Sequence, residues 1–379
     1  MHPFLRYAAN KQADVTDLLK RLVECESPSN DVRGVDQFVD LLAEETRDIA
    51  KAKTFRAPSA GRHLRLDFKL PGRKKDGQIL GLGHSDTVWP IGTLRSMPFK
   101  KADGRLWGPG VLDMKAGLAF FVFAVRMLRD LDLPVNRSVA LLVVSDEEVG
   151  SATSRPITEK TASESNAVLV LEPGTGLTGK LKTSRKGVGD YLIRVEGKAA
   201  HAGVDFTKGA SAILELARQI DRIAAFTNLD KGITVNPGVI RGGTRTNVIA
   251  AEAEAEIDIR VARAKDAVGL DRKFKALRAI DKRCRLEVSG GLNRPPMERT
   301  KVIQQLFHKA RELASELDIA LEESATGGGS DGNFTAAFGI PTLDGLGAVG
   351  EGAHAANESI LEDRIADRTA LIGLLLQNI

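Results

Sequence analysis

Cysteine is nearly absent from this sequence: two residues in 379, Cys25 and Cys284. They lie far apart and fit no metal-ligand or redox spacing, which excludes a disulfide framework and a zinc finger. The expectation is a reduced, cytoplasmic protein with two structural thiols. Residues 1–15 lack the apolar core of a signal peptide. The densest apolar run, 118–125, is far too short to span a bilayer, so no membrane partner is expected. Charge of one sign is not in excess either: 54 Lys and Arg against 50 Asp and Glu give a net charge of +4. The basic runs, Arg73-Lys74-Lys75 and 271–285, have no interleaved aromatics, and acids interrupt the second. They read as a solvated loop and a solvated helix face, and no nucleic-acid partner is expected. Internal repeats and low-complexity linkers are missing. The glycine-rich stretch 326–332 lacks the Lys-Ser/Thr of a phosphate loop. Its backbone N–H groups, around Gly329, could instead hold a carboxylate.

What is present is enough apolar sequence for a large core and a length that allows two domains; hydrophobic residues make up 42% and charged residues 27%. Residues 139–144 form an unbroken, β-branched-rich apolar run, which predicts a strand buried on both faces. Directly after it come Asp146, Glu147 and Glu148. Two further apolar runs end in the same way. Residues 78–83 lead into His84-Ser85-Asp86, and 166–171 lead into Glu172-Pro173-Gly174. Helical spacing appears at 15–24, 34–47 and 114–130. Alternation of strands with helices predicts a mixed, largely parallel sheet flanked by helices, an α/β fold. In such sheets ligands collect beyond the carboxyl ends of the strands. The three exits should therefore converge, and clustered acids repel one another unless a cation or a shared proton neutralises them.

From about residue 179 the texture changes. Residues 187–196, 232–241 and 250–263 read as strands, the last strictly two-periodic, with Ala251, Ala253, Ala255, Ile257 and Ile259 on one face and Glu252, Glu254, Glu256, Asp258 and Arg260 on the other. Helices are predicted at 210–225 and 266–280, and a final strand at 286–289. This predicts an α+β domain at 179–291 inserted into a first domain made of 1–178 and 292–379. A helix at 300–317, an apolar segment at 342–347, a loop carrying His354 and a closing helix at 360–377 complete the chain.

Each candidate has a plainer reading on its own. Asp113 could be a helix N-cap, Glu172 a turn acid, His354 a surface imidazole and Arg260 one more solvated residue on a polar strand face. His84-x-Asp86 suits a metal-bound imidazole oriented by a carboxylate. Taken together, the ligand-type residues at successive exits favour a metal centre. The runs Gly83-His84-Ser85-Asp86-Thr87-Val88, Gly108-Pro109-Gly110-Val111-Leu112-Asp113-Met114-Lys115-Ala116-Gly117 and Asp146-Glu147-Glu148-Val149-Gly150-Ser151 resemble the signatures of the M20 metallopeptidases. Within them the chain is most similar to the glutamate carboxypeptidase (carboxypeptidase G2-like) branch.

That resemblance implies two zinc ions, with cobalt or manganese compatible with the same N/O ligand set. Asp113 would bridge them, His84 and Glu172 would complete one site, and Glu148 and His354 the other. It also implies that Glu147 is the general base acting on a metal-bridging water, and that Asp86 orients His84. Gly197 to Gly203 resembles the family segment whose histidine reaches a neighbouring subunit's site, so His201 would stabilise the oxyanion. Asn247, Arg260 and Arg294 match positions that contact substrate. The inserted domain would be ferredoxin-like and serve as homodimerisation surface and lid. The expected function is cleavage of an amide bond in a peptide or N-acyl amino acid, releasing a C-terminal, acidic amino acid. The alternatives are a deacylase of the aminoacylase, acetylornithine or succinyl-diaminopimelate type, a non-catalytic metal-retaining binding protein, and a metal-free scaffold.

Overall fold

A computed structural model describes residues 1–73 and 75–379, so the middle of the Arg73-Lys74-Lys75 run lies outside the described residues. The chain divides into two compact units. The first comprises Met1–Ser184, Arg299–Ala325 and Ser330–Ile379, and the second Arg185–Glu298 with Thr326–Gly329. The second unit thus starts and ends six to seven residues later than the 179–291 read from the sequence, and it takes in a piece of the glycine-rich loop.

The first unit is built on a six-stranded sheet in the order Ala50–Phe55, His63–Phe68, Ser138–Val144, Gln78–His84, Ala167–Val170, Thr342–Leu343. The last four strands are parallel, and the first two add an antiparallel edge. The two central strands are buried along nearly their whole length, as their unbroken apolar runs require. Gly81 and Gly83 interrupt the bulk of one of them for a steric reason. A Cβ there would lie 2.6 Å from Phe121 and 2.8 Å from Leu118. Without side chains at those positions the apolar helix Ala116–Asp130 lies directly on the sheet. That helix and Ile365–Asn378 are apolar almost all round and form the centre of the core.

Register determines where the strand exits meet. Gln78 pairs with Ser138 and His84 with Val144, while Leu82 pairs with Val170. His84, the turn after Val144, and Glu172 therefore leave the sheet at one level. Two glycines crowd the last of these exits. A Cβ on either Gly117 or Gly347 would stand 2.1 Å from the Leu171 carbonyl oxygen.

The second unit is a four-stranded antiparallel sheet, Thr234–Gly242, Glu252–Val261, Gly187–Glu196, Arg285–Arg294, with helices Ala212–Ala224 and Ala264–Lys275. The βαββαβ succession in this order is the ferredoxin-like arrangement. Its core includes Ile193, Val195, Ala255, Ile257, Ile259 and Phe274, the last stacked on Tyr191 at 3.7 Å between ring centroids. The alternation of residues 251–260 is realised as read, apolar side inward. The helix expected at 266–280 instead ends at Lys275. The Ile280 and Asp281 N–H groups are captured by the buried Glu215 carboxylate, both at 2.9 Å, so they cannot continue a helix. Arg185 and Met297 exchange backbone hydrogen bonds in both directions at 3.0 Å, which closes the insertion on itself. No helix among the described residues is long and apolar enough to cross a membrane.

Candidate metal centre

Five residues of the first unit meet at the carboxyl edge of its parallel strands: His84, Glu148 and Glu172 from three strand exits, Asp113 from the turn Val111–Lys115 and His354 from the loop after Gly350–Glu351. Asp113 is common to two groups whose ligand atoms lie within 4.8 Å of one another: His84, Asp113 and Glu172, and Asp113, Glu148 and His354. The two oxygens of Asp113 face opposite ways. Oδ1 is 3.1 Å from His84 Nε2, and Oδ2 is 3.3 Å from His354 Nε2. Glu172 Oε1 stands 3.7 Å from His84 Nε2, and Glu148 Oε1 3.2 Å from His354 Nε2. His84 and Glu172 are buried, Asp113 and Glu148 are partly buried, and the side chain of His354 is half exposed.

The local structure explains each placement. His84 Nδ1 lies 2.8 Å from the Asp86 carbonyl oxygen, which can only accept. Nδ1 therefore carries a proton, and Nε2, facing Asp113 and Glu172, is the nitrogen that would give its lone pair to a cation. The Asp86 carboxylate is farther from the ring, with Oδ1 at 3.5 Å from Nδ1. It is occupied elsewhere. Oδ1 accepts from the Glu147 N–H and Oδ2 from the Glu148 N–H, both at 3.2 Å, and Oδ2 also accepts from Ser29 Oγ at 2.7 Å. Asp86 thus meets the histidine ring most closely with its backbone carbonyl and the 147–148 turn with its side chain, a division not readable from His-x-Asp. Asp113 is not a helix N-cap. Its backbone is extended (φ −116°, ψ 95°) inside the turn Val111–Lys115, ahead of the helix Ala116–Asp130. His354 sits in the left-handed region at φ 62°. That conformation costs a non-glycine residue on the order of 1 kcal/mol, and such outliers collect at functional sites.

The donor set fits divalent cations. Three carboxylates face two imidazoles, and with no cation between them the acids draw protons instead. Burial alone would lower His84, but Asp113 and Asp86 hold its pKa well above the ordinary value. Asp113 and Glu148 push His354 up to about 10. Burial would raise Asp113, yet the two histidines hold it below the usual carboxylate range. Cations at these positions would displace those protons, the behaviour expected of a carboxylate–histidine metal site.

Glu147 and Glu148 share the single turn Glu147–Val149. Glu358, which the sequence reading missed, sends its buried carboxylate to the backbone that carries Asp113. The signal available for it was faint: an acid immediately before the short apolar strand Ser359–Leu361.

The remaining candidates belong to the second unit and form two groups. The His201 and Asn247 loops are joined: His201 bridges Val248, and the Ala202 N–H donates to the Asn247 carbonyl at 3.0 Å. The Gly203 N–H donates to His201 Nδ1 at 3.2 Å, so the neutral ring carries its proton on Nε2. Arg260 and Arg294 lie on either side of Val188 in one cross-strand row, with Gly329 packed against Val188 and Arg294. The Arg260 guanidinium is clasped by Asp258, with contacts of 2.7–3.1 Å. The Gly328 and Gly329 carbonyls accept from Arg185 at 3.2 and 2.9 Å, and the Gly328 N–H is taken by Thr326 Oγ1 at 3.3 Å.

Comparison with known proteins gives a consistent result. The family model "Peptidase family M20/M25/M40" matches residues 81–378. Carboxypeptidase G2 of Pseudomonas sp. (strain RS-16) is 28% identical over 358 residues, covering 92% of this chain and 84% of that protein. A succinyl-diaminopimelate desuccinylase of Cereibacter sphaeroides is 29% identical over 394 residues, covering 96% and 98%. Among solved structures, aminopeptidase PepT of Bacillus cereus superposes with a TM-score of 0.81 at 22% identity, over 97% of this chain and 98% of that one.

Proposed function

The chain belongs to peptidase family M20/M25/M40, and from that premise we propose that it is a dinuclear metal hydrolase. It cleaves an amide bond of a peptide or N-acyl amino acid and releases a C-terminal, acidic amino acid. The observation that carries the reading is the shared Asp113, whose two oxygens each serve one group of ligand-type residues. His84 and Glu172 would hold one zinc ion with Asp113, and Glu148 and His354 the other. The chemistry such ions supply when bound is polarisation of a carbonyl and acidification of water.

The protein's own residues do the rest. Glu147, held by Asp86, takes the proton of the attacking water and passes it to the leaving amine nitrogen, which departs as a neutral amine. His201 presents its Nε2–H to the oxygen that gains charge at the tetrahedral stage. Arg294 and Gly329 receive the substrate carboxylate, with Asn247 a further contact. Arg260 joins them only by releasing Asp258.

We also propose a homodimer formed through the second unit. Supporting it, the sheet edge Thr234–Gly242 exposes Val239 and Ile240, and beside it Phe206 and Leu214 are 66% and 57% exposed along a groove of about 590 Å³. The mass in solution, compared with that of Leu214→Asp, decides this. A cytoplasmic location is supported by two free thiols, Cys25 and Cys284.

The desuccinylase relative, which spans nearly the whole chain, favours a second reading in which the acyl group rather than the amino acid is recognised. A panel crossing acyl groups with leaving amino acids separates the two. Glu147→Gln, assayed on the best substrate with metal content measured on the same sample, tests the mechanism. Turnover is expected to vanish while metal stays. Full activity in Glu147→Gln, or no turnover by the wild type on any amide, would remove it.

A further inference from the structure

Glu358 lies four positions beyond His354 and is wholly buried. Its Oε2 accepts from the Gly110 N–H at 2.9 Å and from the Trp89 indole N–H at 2.7 Å. Oε1 accepts from the Leu112 N–H at 2.9 Å and the Asp113 N–H at 3.1 Å. A carboxylate offers about four lone-pair directions, so all of them are used, and each of these donors is neutral. The need for them is local. Asp113 has an extended backbone within its turn, so the Leu112 and Asp113 N–H groups are not consumed by a helix and depend on Glu358.

The other end of Glu358 is fixed to the His354 turn. Its N–H donates to the Ala355 carbonyl at 2.9 Å, and the strand that follows, Ser359–Leu361, pairs with Arg105–Trp107, which leads into Gly108. One side chain therefore joins the turn that carries His354 to the backbone that carries Asp113.

We propose that Glu358 is a positioning residue for the metal centre. It sets the orientation in which Asp113 shows Oδ1 to His84 and Oδ2 to His354, and it locks that backbone to the His354 turn. It is neither a ligand nor a contact to substrate. The proposal rests on the dinuclear reading above. An amide cannot replace the carboxylate, because whichever way it turns its NH₂ would face two of the four donors.

The test is a titration of metal-stripped protein with Co²⁺, followed by its visible absorption band, alongside kcat and KM for an amide substrate. Wild type should take up two equivalents. In Glu358→Gln, Co²⁺ affinity and kcat should each fall by about 10- to 100-fold, with an altered band and little change in KM, as when a partner of a metal ligand is lost. Glu358→Asp keeps the charge but withdraws it by one methylene, and it should restore part of the affinity. It also carries the test if Glu358→Gln does not fold. Leu375→Ala, a cavity in the closing helix, controls for plain instability: it should melt lower yet keep the wild-type band. Wild-type Co²⁺ affinity, band and kcat in folded Glu358 variants would overturn the positioning role while leaving the dinuclear reading intact. Failure of the wild type to bind Co²⁺ would overturn both.

Discussion

Replacing Asp86 with asparagine removes a charge from the middle of the candidate centre without touching a ligand. The carboxylate accepts from the Glu147 and Glu148 N–H groups at 3.2 Å and from Ser29 Oγ at 2.7 Å. Asparagine has one oxygen and one NH₂. Whichever way the amide turns, one of the two backbone N–H groups faces another donor. The loss is one charge-assisted hydrogen bond and the stranding of a half-buried donor, together about 2–4 kcal/mol. At roughly 2 °C per kcal/mol for a unit of this size, the melting temperature should drop by about 4–8 °C. The turn that relaxes carries both Glu147 and Glu148, so kcat/KM for amide hydrolysis should fall about 10- to 100-fold, with weaker metal retention. Ser29→Ala, which takes away only the hydroxyl donor, should cost about 1 kcal/mol and much less activity. Differential scanning fluorimetry, metal analysis and steady-state kinetics on the three proteins provide the comparison. If Asp86→Asn melts and turns over like the wild type, the turn is held by something else, and the division of labour assigned to Asp86 is wrong.

Three further outcomes are expected. Glu215 is held below its ordinary value of 4.5 by its backbone and Gln219 donors, which override its burial, so its stabilisation is present above that pH and is lost as pH falls through the folded value. Glu215→Gln should therefore be about 2–3 kcal/mol less stable at pH 7 by urea unfolding, with the gap narrowing below about pH 4.5; a gap that does not change with pH would exclude the charge as its source. Gly117→Ala places a methyl against the Leu171 carbonyl and should lower the melting temperature and amide turnover together, since the helix and the Glu172 exit must separate; overpacking of this kind costs about 1–3 kcal/mol. His201→Ala should reduce kcat about 10²- to 10³-fold with KM little changed, and equal kcat in the variant would deny the ring its place at the oxyanion.

The parts of the site that could be read from the sequence are those whose physics is local. A strand buried on both faces must be an unbroken apolar run, so 78–83, 139–144 and 166–171 declared themselves, and the residues after them were the candidate ligands. Parallel pairing then brought His84, Glu148 and Glu172 to one level. The edge strand Ala50–Phe55 escaped notice because four of its six residues are exposed and its pattern, Ala-Lys-Ala-Lys-Thr-Phe, has little apolar content to alternate. The helices Pro3–Asn10 and Arg155–Ser163 are too short to establish a period. What depends on distant partners was invisible. The early end of the helix at Lys275 is set by Glu215, far upstream in the chain, and the extended backbone of Asp113 by Glu358, far downstream. The row of Arg260, Val188 and Arg294 exists only through strand register.

The mutual hydrogen bonds of Arg185 and Met297 have a consequence for how this protein can be taken apart. Apart from Thr326–Gly329, the second unit is one stretch, Arg185–Glu298, that departs and returns through this bridge, and such a stretch is a cassette with adjoining ends. Joining Ser184 to Arg299 by a short glycine link should yield a metal-bearing scaffold that keeps its own core, and the excised piece has its ends already side by side. Exchange of such cassettes between related chains would test whether the second unit selects the substrate, as proposed, while the first keeps the chemistry.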